Sequence, residues 1–547
     1  MRILAFNVAH DSSVCSINDG QIEFFCKEER LSGVKRDKHP FKSLEKFAEL
    51  NLGKVDHVLY VTPSNNEPDV EIVFNAYIKK KFNVNLENYS SLKHHDCHAT
   101  LAFHNSGFDK ALVFVIDRNG SMFFSNGNLI GRESESVYIA STQHNLIAVR
   151  KNFWLNFGYE NTKHEVENLI KSHYSGADVQ AVNSLGIVKV YEAATTLIGQ
   201  NPLENGKTMG LASYGENKTY DSLFIDNIPI NEKFVHMPGG DSPTCFYNCE
   251  AKITKEVKEL DYQPYANRAK QVQLETQKVA LNLIKEYVQK TQIRNVCIVG
   301  GYGLNVVANN HYLKNLPNVN FYFEPVADDT GVSIGAAMLK HKEMTYRNPI
   351  GVSDNFYHYY EKENQIGEET TIDEICDALI QQKSVAIFEG NPEVGPRALG
   401  HRSILFDARN VDAKKIVNQI KNREWYRPFA GVILQEYFDQ YFNTLGLKES
   451  SYMTINFDCL EHTQKLVPGI VHVDNTCRIQ TVSKGFLYDL LKKFYVKTGC
   501  PMLLNTSFNL AGNPLVQTKK DAVHTFEMST LDLICFIESD RLFKVQK

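Results

Sequence analysis

The sequence predicts an α/β protein made of a large N-terminal module and a smaller C-terminal one, on three observations. A strand, a polar loop and a hairpin at the N-terminus recur as a unit beginning at Ala111. An apolar strand, Val296-Cys297-Ile298-Val299, runs into the glycine-rich turn Gly300-Gly301-Tyr302-Gly303. After a looser stretch, helix-like and strand-like segments begin to alternate again near Thr371 and continue to the C-terminus.

Taken in order, Arg2 to Val8 reads as a strand, followed by the polar loop Ala9-His10-Asp11-Ser12. Ser13 to Ile17 and Gln21 to Cys26 then flank Asn18-Asp19-Gly20, where Asp-Gly supplies the positive φ that a tight hairpin needs. In the second unit Ala111 to Ile116 ends at Asp117, Arg118-Asn119-Gly120 turns, Ser121 to Ser125 returns, and Asn126-Gly127 turns again. Such a repeat suggests internal duplication, the plan of actin-like nucleotide-binding domains; the same periodicity also suits two unrelated α/β lobes. From Ala266 to Gln292 apolar residues fall at helical spacing and lead into the Val296 strand. Strand, glycine turn and helix is a geometry that accepts phosphate on free backbone N–H groups, and equally a plain tight turn. The pattern loosens from His341 to Thr371, the best linker. A helix from Thr371 to Gln381 and a strand from Ser384 to Phe388 open the second module.

Composition narrows the function classes. With 547 residues, 43% hydrophobic and 22% charged, the chain is an ordinary globular protein rather than a disordered or low-complexity one. The 59 Lys and Arg against 64 Asp and Glu give a net charge of -5, which disfavours duplex nucleic acid as a partner. No apolar run reaches the length of a membrane span, and Met1 to Asn7 runs into polar residues instead of a signal-peptide core, so a cytoplasmic location without membrane contact is expected. The 11 cysteines are irregularly spaced, and Cys15, Cys297 and Cys535 sit in apolar strand-like runs as small hydrophobes. Cys245 and Cys249 are too isolated for a zinc site.

Two groups of residues carry chemistry. On a helix, His94 and His98 stand one turn apart on one face; they suit a metal, or equally a structural histidine cluster. Asp117 at the end of its strand and Asp329 in the loop after the strand Asn320 to Phe323 are the carboxylates placed to meet them. Such a mixed set suits Fe(II), Mn(II) or Zn(II) better than Ca(II). In the C-terminal module, Arg397 and Arg402 lie in a Gly/Pro loop, Arg423-Glu424-Trp425-Tyr426-Arg427 supplies two more, and Asn475-Thr476-Cys477-Arg478 another. Asn505-Thr506-Ser507-Phe508-Asn509 supplies small donors beside them. Several guanidinium forks in one module point to an anion pocket, although a single Arg is more often solvated.

The motifs together resemble a family. His-His-x-x-His-Ala at His94, Gly-Lys-x-Met-Gly-Leu-Ala-x-Tyr-Gly at Gly206 to Gly215 and Gly-Gly-x-x-Leu-Asn at Gly300 to Asn305 are motifs of the O-carbamoyltransferases, which modify nodulation factors, cephalosporins and aminoglycosides such as tobramycin. Gly-Pro-Arg-Ala-Leu-Gly at Gly395, Arg-Pro-Phe-Ala at Arg427 and Leu-Leu-Asn-Thr-Ser-Phe-Asn at Leu503 follow in the family's order. The resemblance implies an N-terminal actin-like (ASKHA, duplicated RNase H-like) domain over residues 1–345, a linker over 346–370 and a C-terminal YrdC-like α/β domain over 371–547. It implies that carbamoyl phosphate and ATP, carried with Mg, become carbamoyl adenylate in the YrdC-like domain. The actin-like domain then passes the carbamoyl group to a hydroxyl-bearing small-molecule acceptor. Matched by motif, His94, His98, Asp117 and Asp329 fall on a metal site, usually iron. Lys207, Gly210, Gly300, Gly301 and Asn305 fall on nucleotide motifs, and Arg397, Arg427, Arg478, Ser507 and Asn509 on the activation site. His10 falls near the acceptor hydroxyl, where it or Asp11 would take the proton; a loop imidazole bonded to backbone is the plainer reading. A homodimer is compatible with the resemblance.

Two departures stand out. The family form Asp-Gly-x-Gly-Glu is here Asp117-Arg118-Asn119-Gly120-Ser121, and Arg-Gly-Glu-Pro is Ala511-Gly512-Asn513-Pro514. Neither touches the four ligand positions. The rival functions are an actin-like ATPase or kinase, which needs no arginine-rich module, a catalytically dead nucleotide-binding scaffold, and the same carbamoyl chemistry on a hydroxymethylated nucleotide. Acceptor choice is expected to lie in loops such as Glu28 to Pro40 and Val137 to Tyr174.

Overall fold

The computed structural model describes residues 1–63, 68–89, 93–144, 146–156, 158–218, 220–235, 245–246, 262–351, 359–539 and 541–547. Contacts divide the chain into two compact units, Met1–Glu28 with Arg36–Asn355, and Glu29–Lys35 with Phe356–Lys547. The division falls inside the stretch read from sequence as a linker, of which residues 352–358 lie outside the described residues. Glu368–Thr370, also assigned to that linker, is a strand that pairs antiparallel with residues 542–544. The short segment 29–35 joins the second unit, where Arg30 Nη2 donates to the Glu393 carbonyl at 3.3 Å. Chain order alone gives no sign of that exchange.

The first unit holds two main sheets. β1 (Arg2–Asn7), β2 (Ser13–Asn18), β3 (Gln21–Lys27), β4 (His57–Val61) and β5 (Leu86–Asn88) are ordered β3-β2-β1-β4-β5, with β1 antiparallel to β2 and parallel to β4. Asp19 (φ 47) and Gly20 (φ 85) both turn left-handed between β2 and β3, as the Asp-Gly hairpin requires. The second sheet contains β6 (Lys110–Ile116), β7 (Met122–Ser125), β8 (Asn128–Ser141), β9 (Ile147–Leu155) and β10 (Asp178–Val182), with Asn295–Val299 and Asn320–Phe323. Its order is β10-β9-β8-β6 followed by those two strands, and β7 pairs with β8. β6 thus stands as β1 does, with an antiparallel strand on one side and a parallel strand on the other. The stretch Val137 to Tyr174, expected to be acceptor loops, is mostly regular: it takes in the end of β8, all of β9 and the helix Lys163–His173.

Two helices carry the unit's centre. His94–Ser106 packs Ala99, Ala102 and Phe103 among Val113, Val115, Cys297 and Val299 of the second sheet and Ala327 of the loop after Asn320–Phe323. Val332–Thr345 packs on β1, β2 and the His94–Ser106 helix. At their crossing a Cβ on Gly335 would stand 1.9 Å from the Cys97 carbonyl oxygen, so the two backbones touch where no side chain fits. Gly335→Ala is therefore expected to push the histidine helix aside and cost about 1–3 kcal/mol, read as a lower denaturation midpoint.

The second unit is built on a ten-stranded sheet. Its order is Glu368–Thr370, Arg541–Gln546, Leu533–Glu538, Val385–Glu389, Arg402–Phe406, Met502–Ser507, Ala430–Leu434, Thr476–Val482, Asn456–Cys459 and Phe442–Asn443. Ala386, Phe388, Ile404, Ile534 and Phe536 form part of its core with Phe508 and Phe526. The cysteines of the described residues are buried, consistent with a packing role; the Cys245 side chain and Cys249 lie outside the described residues. No helix among the described residues is long and apolar enough to cross a membrane.

Candidate functional sites

In the first unit, four buried side chains from three separate stretches of chain converge. His94 and His98 lie on the first turns of their helix, Asp117 follows β6, and Asp329 opens the turn Asp329–Gly331. One ligand atom from each lies within 4.8 Å of all the others. His94 Nε2 is 3.6 Å from Asp117 Oδ2 and 3.5 Å from Asp329 Oδ1, and His98 Nε2 is 3.6 Å from the same Asp329 oxygen. Among the described residues none of the four ring nitrogens of His94 and His98 has a hydrogen-bond partner, although all are buried. Buried polar atoms left unpaired are costly, and two carboxylates facing two imidazoles form a donor set that fits a borderline divalent metal. The residues present therefore fit the metal that the motif match implies.

The electrostatics agree. Burial alone would lower the His94 pKa, but Asp329 and Asp117 raise it to about 10. Burial would raise the Asp117 carboxyl, yet His94 3.6 Å away and the nearby His98 hold it at about 2. Asp329 is held well below the usual carboxylate range against the same burial cost, by His10 and His94. The pocket thus concentrates negative charge that draws a cation, and a proton on His94 is the first to be displaced. Metal affinity is expected to fall by about tenfold per pH unit for that proton as the medium is acidified; equilibrium dialysis against Zn(II) at pH 8 and pH 6 checks it.

His10 and Asp11 border this set. His10 Nδ1 is 3.1 Å from Asp11 Oδ2 and 3.7 Å from Asp329 Oδ2, and its side chain is a quarter exposed. Burial would lower its pKa, but Asp329 and Asp11 raise it to about 9. Asp11 is itself held by Lys27, whose Nζ donates to Oδ1 at 2.7 Å. Lys27 was not singled out from the sequence, where a lysine closing a strand reads as a surface residue. The loop is tied to the Asp329 turn through Ser13 Oγ, which lies 2.9 Å from the Thr330 carbonyl and 2.7 Å from Ser333 Oγ.

The glycine-rich turn supports Asp117. Gly300 takes φ +84, and the Gly301 N–H donates to Asp117 Oδ1 at 2.9 Å. Asn305 caps the helix Val306–Asn315, its Oδ1 accepting from the Ala308 N–H at 3.0 Å while its Nδ2 donates to Gln273. Lys207, on the helix Asn205–Ala212, bonds Gln200 at 2.7 Å and pairs with Glu204 at 3.0 Å, and Gly210 is buried within that helix.

In the second unit a group of cations shares one field. Burial and then Arg397 and Arg427 push the Arg478 guanidinium well below its ordinary pKa, and burial with Arg427 and Arg478 does the same to Arg423. Among the described residues Arg478 Nε is buried without a hydrogen-bond partner. Lys421, absent from the sequence reading, ties the two small donors together: its Nζ contacts the Ser507 carbonyl, donates to Asn509 Oδ1 at 3.0 Å and to the Asn509 carbonyl at 2.8 Å. Ser507 Oγ donates to Asn509 Oδ1 at 2.8 Å. The loop bearing Arg397 is pinned by Glu393, which accepts from the Leu399 and His401 N–H groups at 2.6 and 2.9 Å.

Arg402 differs from these. Its guanidinium is buried, donates to the carbonyls of Glu389, Gly390, His401 and Gln517, and lies 3.5 Å from the Phe388 ring centre. It is a structural rivet of that loop.

A family model described as the carbamoyltransferase N-terminus matches residues 60–338, and one described as the carbamoyltransferase C-terminus matches residues 376–540. The uncharacterized protein sll1178 of Synechocystis sp. is 30% identical, over 81% of this chain and 74% of its own. Nodulation protein NolNO of Sinorhizobium fredii is 26% identical, over 96% of this chain and 77% of its own. Among solved structures, full-length HypF in its phosphate- and nucleotide-bound form aligns with a TM-score of 0.38 at 13% identity, over 63% of this chain and 56% of that one.

Proposed function

The chain belongs to the carbamoyltransferase family, and from that premise we propose that it is an ATP- and carbamoyl-phosphate-dependent O-carbamoyltransferase acting on a hydroxyl of a small-molecule acceptor. The observation that carries the reading is the closed His94, His98, Asp117 and Asp329 set. The matched strand order around β1 and β6 supports reading the first unit as the duplicated actin-like domain. The second unit is then the YrdC-like one.

In the second unit one carbamoyl phosphate, one ATP and one water give carbamoyl adenylate, pyrophosphate and phosphate. Several anionic groups must meet there, and the mutual repulsion among Arg397, Arg423, Arg427 and Arg478 is what they relieve. Lys421 holds Ser507 and Asn509 as oriented partners for the same anions.

In the first unit the acceptor oxygen attacks the carbamoyl carbon, the bond to AMP breaks, and the hydroxyl proton goes to a base. His94, His98, Asp117 and Asp329 would hold Fe(II), or Mn(II) or Zn(II) in its place, whose positive charge would stabilise the departing phosphate oxygen. His10 is the proposed base, oriented through Nδ1 by Asp11, which Lys27 fixes in turn. Its raised pKa is the work of Asp329 and Asp11, so the ring is a base only when the Asp329 charge is compensated. His10→Ala is expected to slow transfer by about 10²–10⁴ without changing pyrophosphate release.

The reading is tested with ATP and radiolabelled carbamoyl phosphate in the absence of acceptor. Pyrophosphate release that requires carbamoyl phosphate supports it; ADP formation without carbamoyl phosphate overturns it in favour of an ATPase or kinase.

A further inference from the structure

Beneath the histidine pair lies a second buried group that the proposed chemistry does not use. Lys151, on β9, is fully buried, and its Nζ donates to Glu133 Oε1 at 2.7 Å, contacts Tyr138 Oη and lies 3.5 Å from Asp96 Oδ1. The ammonium is 4.7 Å from the Tyr138 ring centre and 4.3 Å from that of Tyr174. Both tyrosines donate to Asp96, Tyr138 at 2.7 Å and Tyr174 at 3.1 Å. Glu133 Oε1 also accepts from Ser136 Oγ at 2.8 Å and lies 3.3 Å from His95 Nδ1, which itself meets Ser136 Oγ at 2.8 Å.

The connectivity of this group is specific. His95 and Asp96 lie with Cys97 between the ligands His94 and His98, so their contacts hold the same turn of helix that bears both ligands. Glu133 grips the other ligand-bearing element as well. Its side chain accepts from the Ser121 N–H at 3.2 Å, and its backbone bonds Gly120 and Ser121 at 2.8 and 2.9 Å, fixing the turn that follows Asp117. One carboxylate thus spans the helix that carries two ligands and the turn that carries a third.

Burying an ion pair costs several kcal/mol per ion, and apolar residues of like size do as well or better for stability. A lysine this buried is rare without such a partner. Groups behind metal ligands set ligand orientation, and their loss weakens metal binding. We propose that the Glu133–Lys151 pair, with His95 and Asp96, is the positioning device of the metal set, locking the His94/His98 helix to the Asp117 turn. This rests on the metal reading above and adds Asp96, Glu133 and Lys151 to it, which no motif quoted above marks. At the departure at Ser121 a carboxylate still stands beside the turn: Glu133 on the neighbouring strand accepts from the Ser121 N–H.

The test uses the full chain and cobalt(II), whose visible absorption reports ligand geometry. The double substitution Glu133→Gln/Lys151→Met removes both charges of the pair together, while Asp96 keeps the hydrogen bonds from Tyr138 and Tyr174, and Glu133→Gln alone is a second variant. The double variant is expected to fold, by circular dichroism, to keep carbamoyl-phosphate-dependent pyrophosphate release, to bind cobalt(II) about 10- to 100-fold more weakly and to show an altered absorption band. Native affinity with a native spectrum in both variants overturns the positioning role. A double variant that does not fold overturns it too, since the pair would then serve stability. If the native protein binds no cobalt(II), or His94→Ala binds it as the native does, the metal reading itself falls, a distinct result.

Discussion

Arg478→Ala is expected to lower carbamoyl-phosphate-dependent pyrophosphate release by about 10²–10³ while the protein stays as stable as the native one or becomes more so. The two halves of that expectation have one cause. Arg478 is desolvated and stands in the field of Arg397 and Arg427, which is why its guanidinium is pushed well below its ordinary pKa. Folding pays to hold that charge, and only a bound anion returns the cost. Deleting it relieves repulsion in the empty pocket and removes stabilisation from the filled one, a trade found where sites are built for ligands rather than for the fold. Arg402→Ala supplies the contrast. Its guanidinium serves four backbone carbonyls, so its loss leaves buried acceptors unpaired at about 1–3 kcal/mol each and lowers the denaturation midpoint. If Arg478→Ala destabilised the protein as Arg402→Ala does, the anion role would be lost. Thermal denaturation and a pyrophosphate assay on the two variants separate the cases.

What the sequence reveals about these sites follows the range of the interactions. His94 and His98 are legible because a helix repeats every turn, and Asp117 and Asp329 because each follows a strand whose apolar run ends abruptly. The hairpin at Asp19-Gly20 is legible because two residues set its geometry. Lys151 and Glu133 are not, because their pairing depends on the offset between β8 and β9, where the register shifts between Glu133 and Ser136. Polar residues in β8 read as an exposed strand or loop, whereas Arg132 to Ser136 are all buried by the elements packed on both faces. Lys421 is missed for a related reason: it follows the helix Ala413–Ile420, where a lysine reads as a solvated terminus, yet the strand Met502–Ser507 and the turn after it bury it. The passage of residues 29–35 into the second unit is not written in any local pattern.

His94→Ala is expected to abolish carbamoyl transfer to acceptor, by about 10²–10⁴, and to leave pyrophosphate release intact. The dissociation follows from where the residue sits: it belongs to the first unit, whereas the arginines proposed for activation belong to the second. Carbamoyl adenylate would still form and then be lost to water, so ATP would be consumed without carbamoylated product. Within the site the substitution does more than remove one ligand. His94 is the group that faces both carboxylates, at 3.6 and 3.5 Å, and its proximity helps hold the Asp117 carboxyl at about 2. Without it the two buried aspartates repel each other more strongly across the vacated volume, and both carboxyls shift upward. The native set must shed the His94 proton to bind a metal and the variant need not, so the variant's Zn(II) affinity is expected to vary less with pH than the native's and its deficit to widen as the medium becomes alkaline. Isothermal titration across pH 6 to 9, beside a product assay, checks both parts. A variant that still carbamoylates acceptor at the native rate would show that the four-residue set is structural and that the transfer chemistry lies elsewhere.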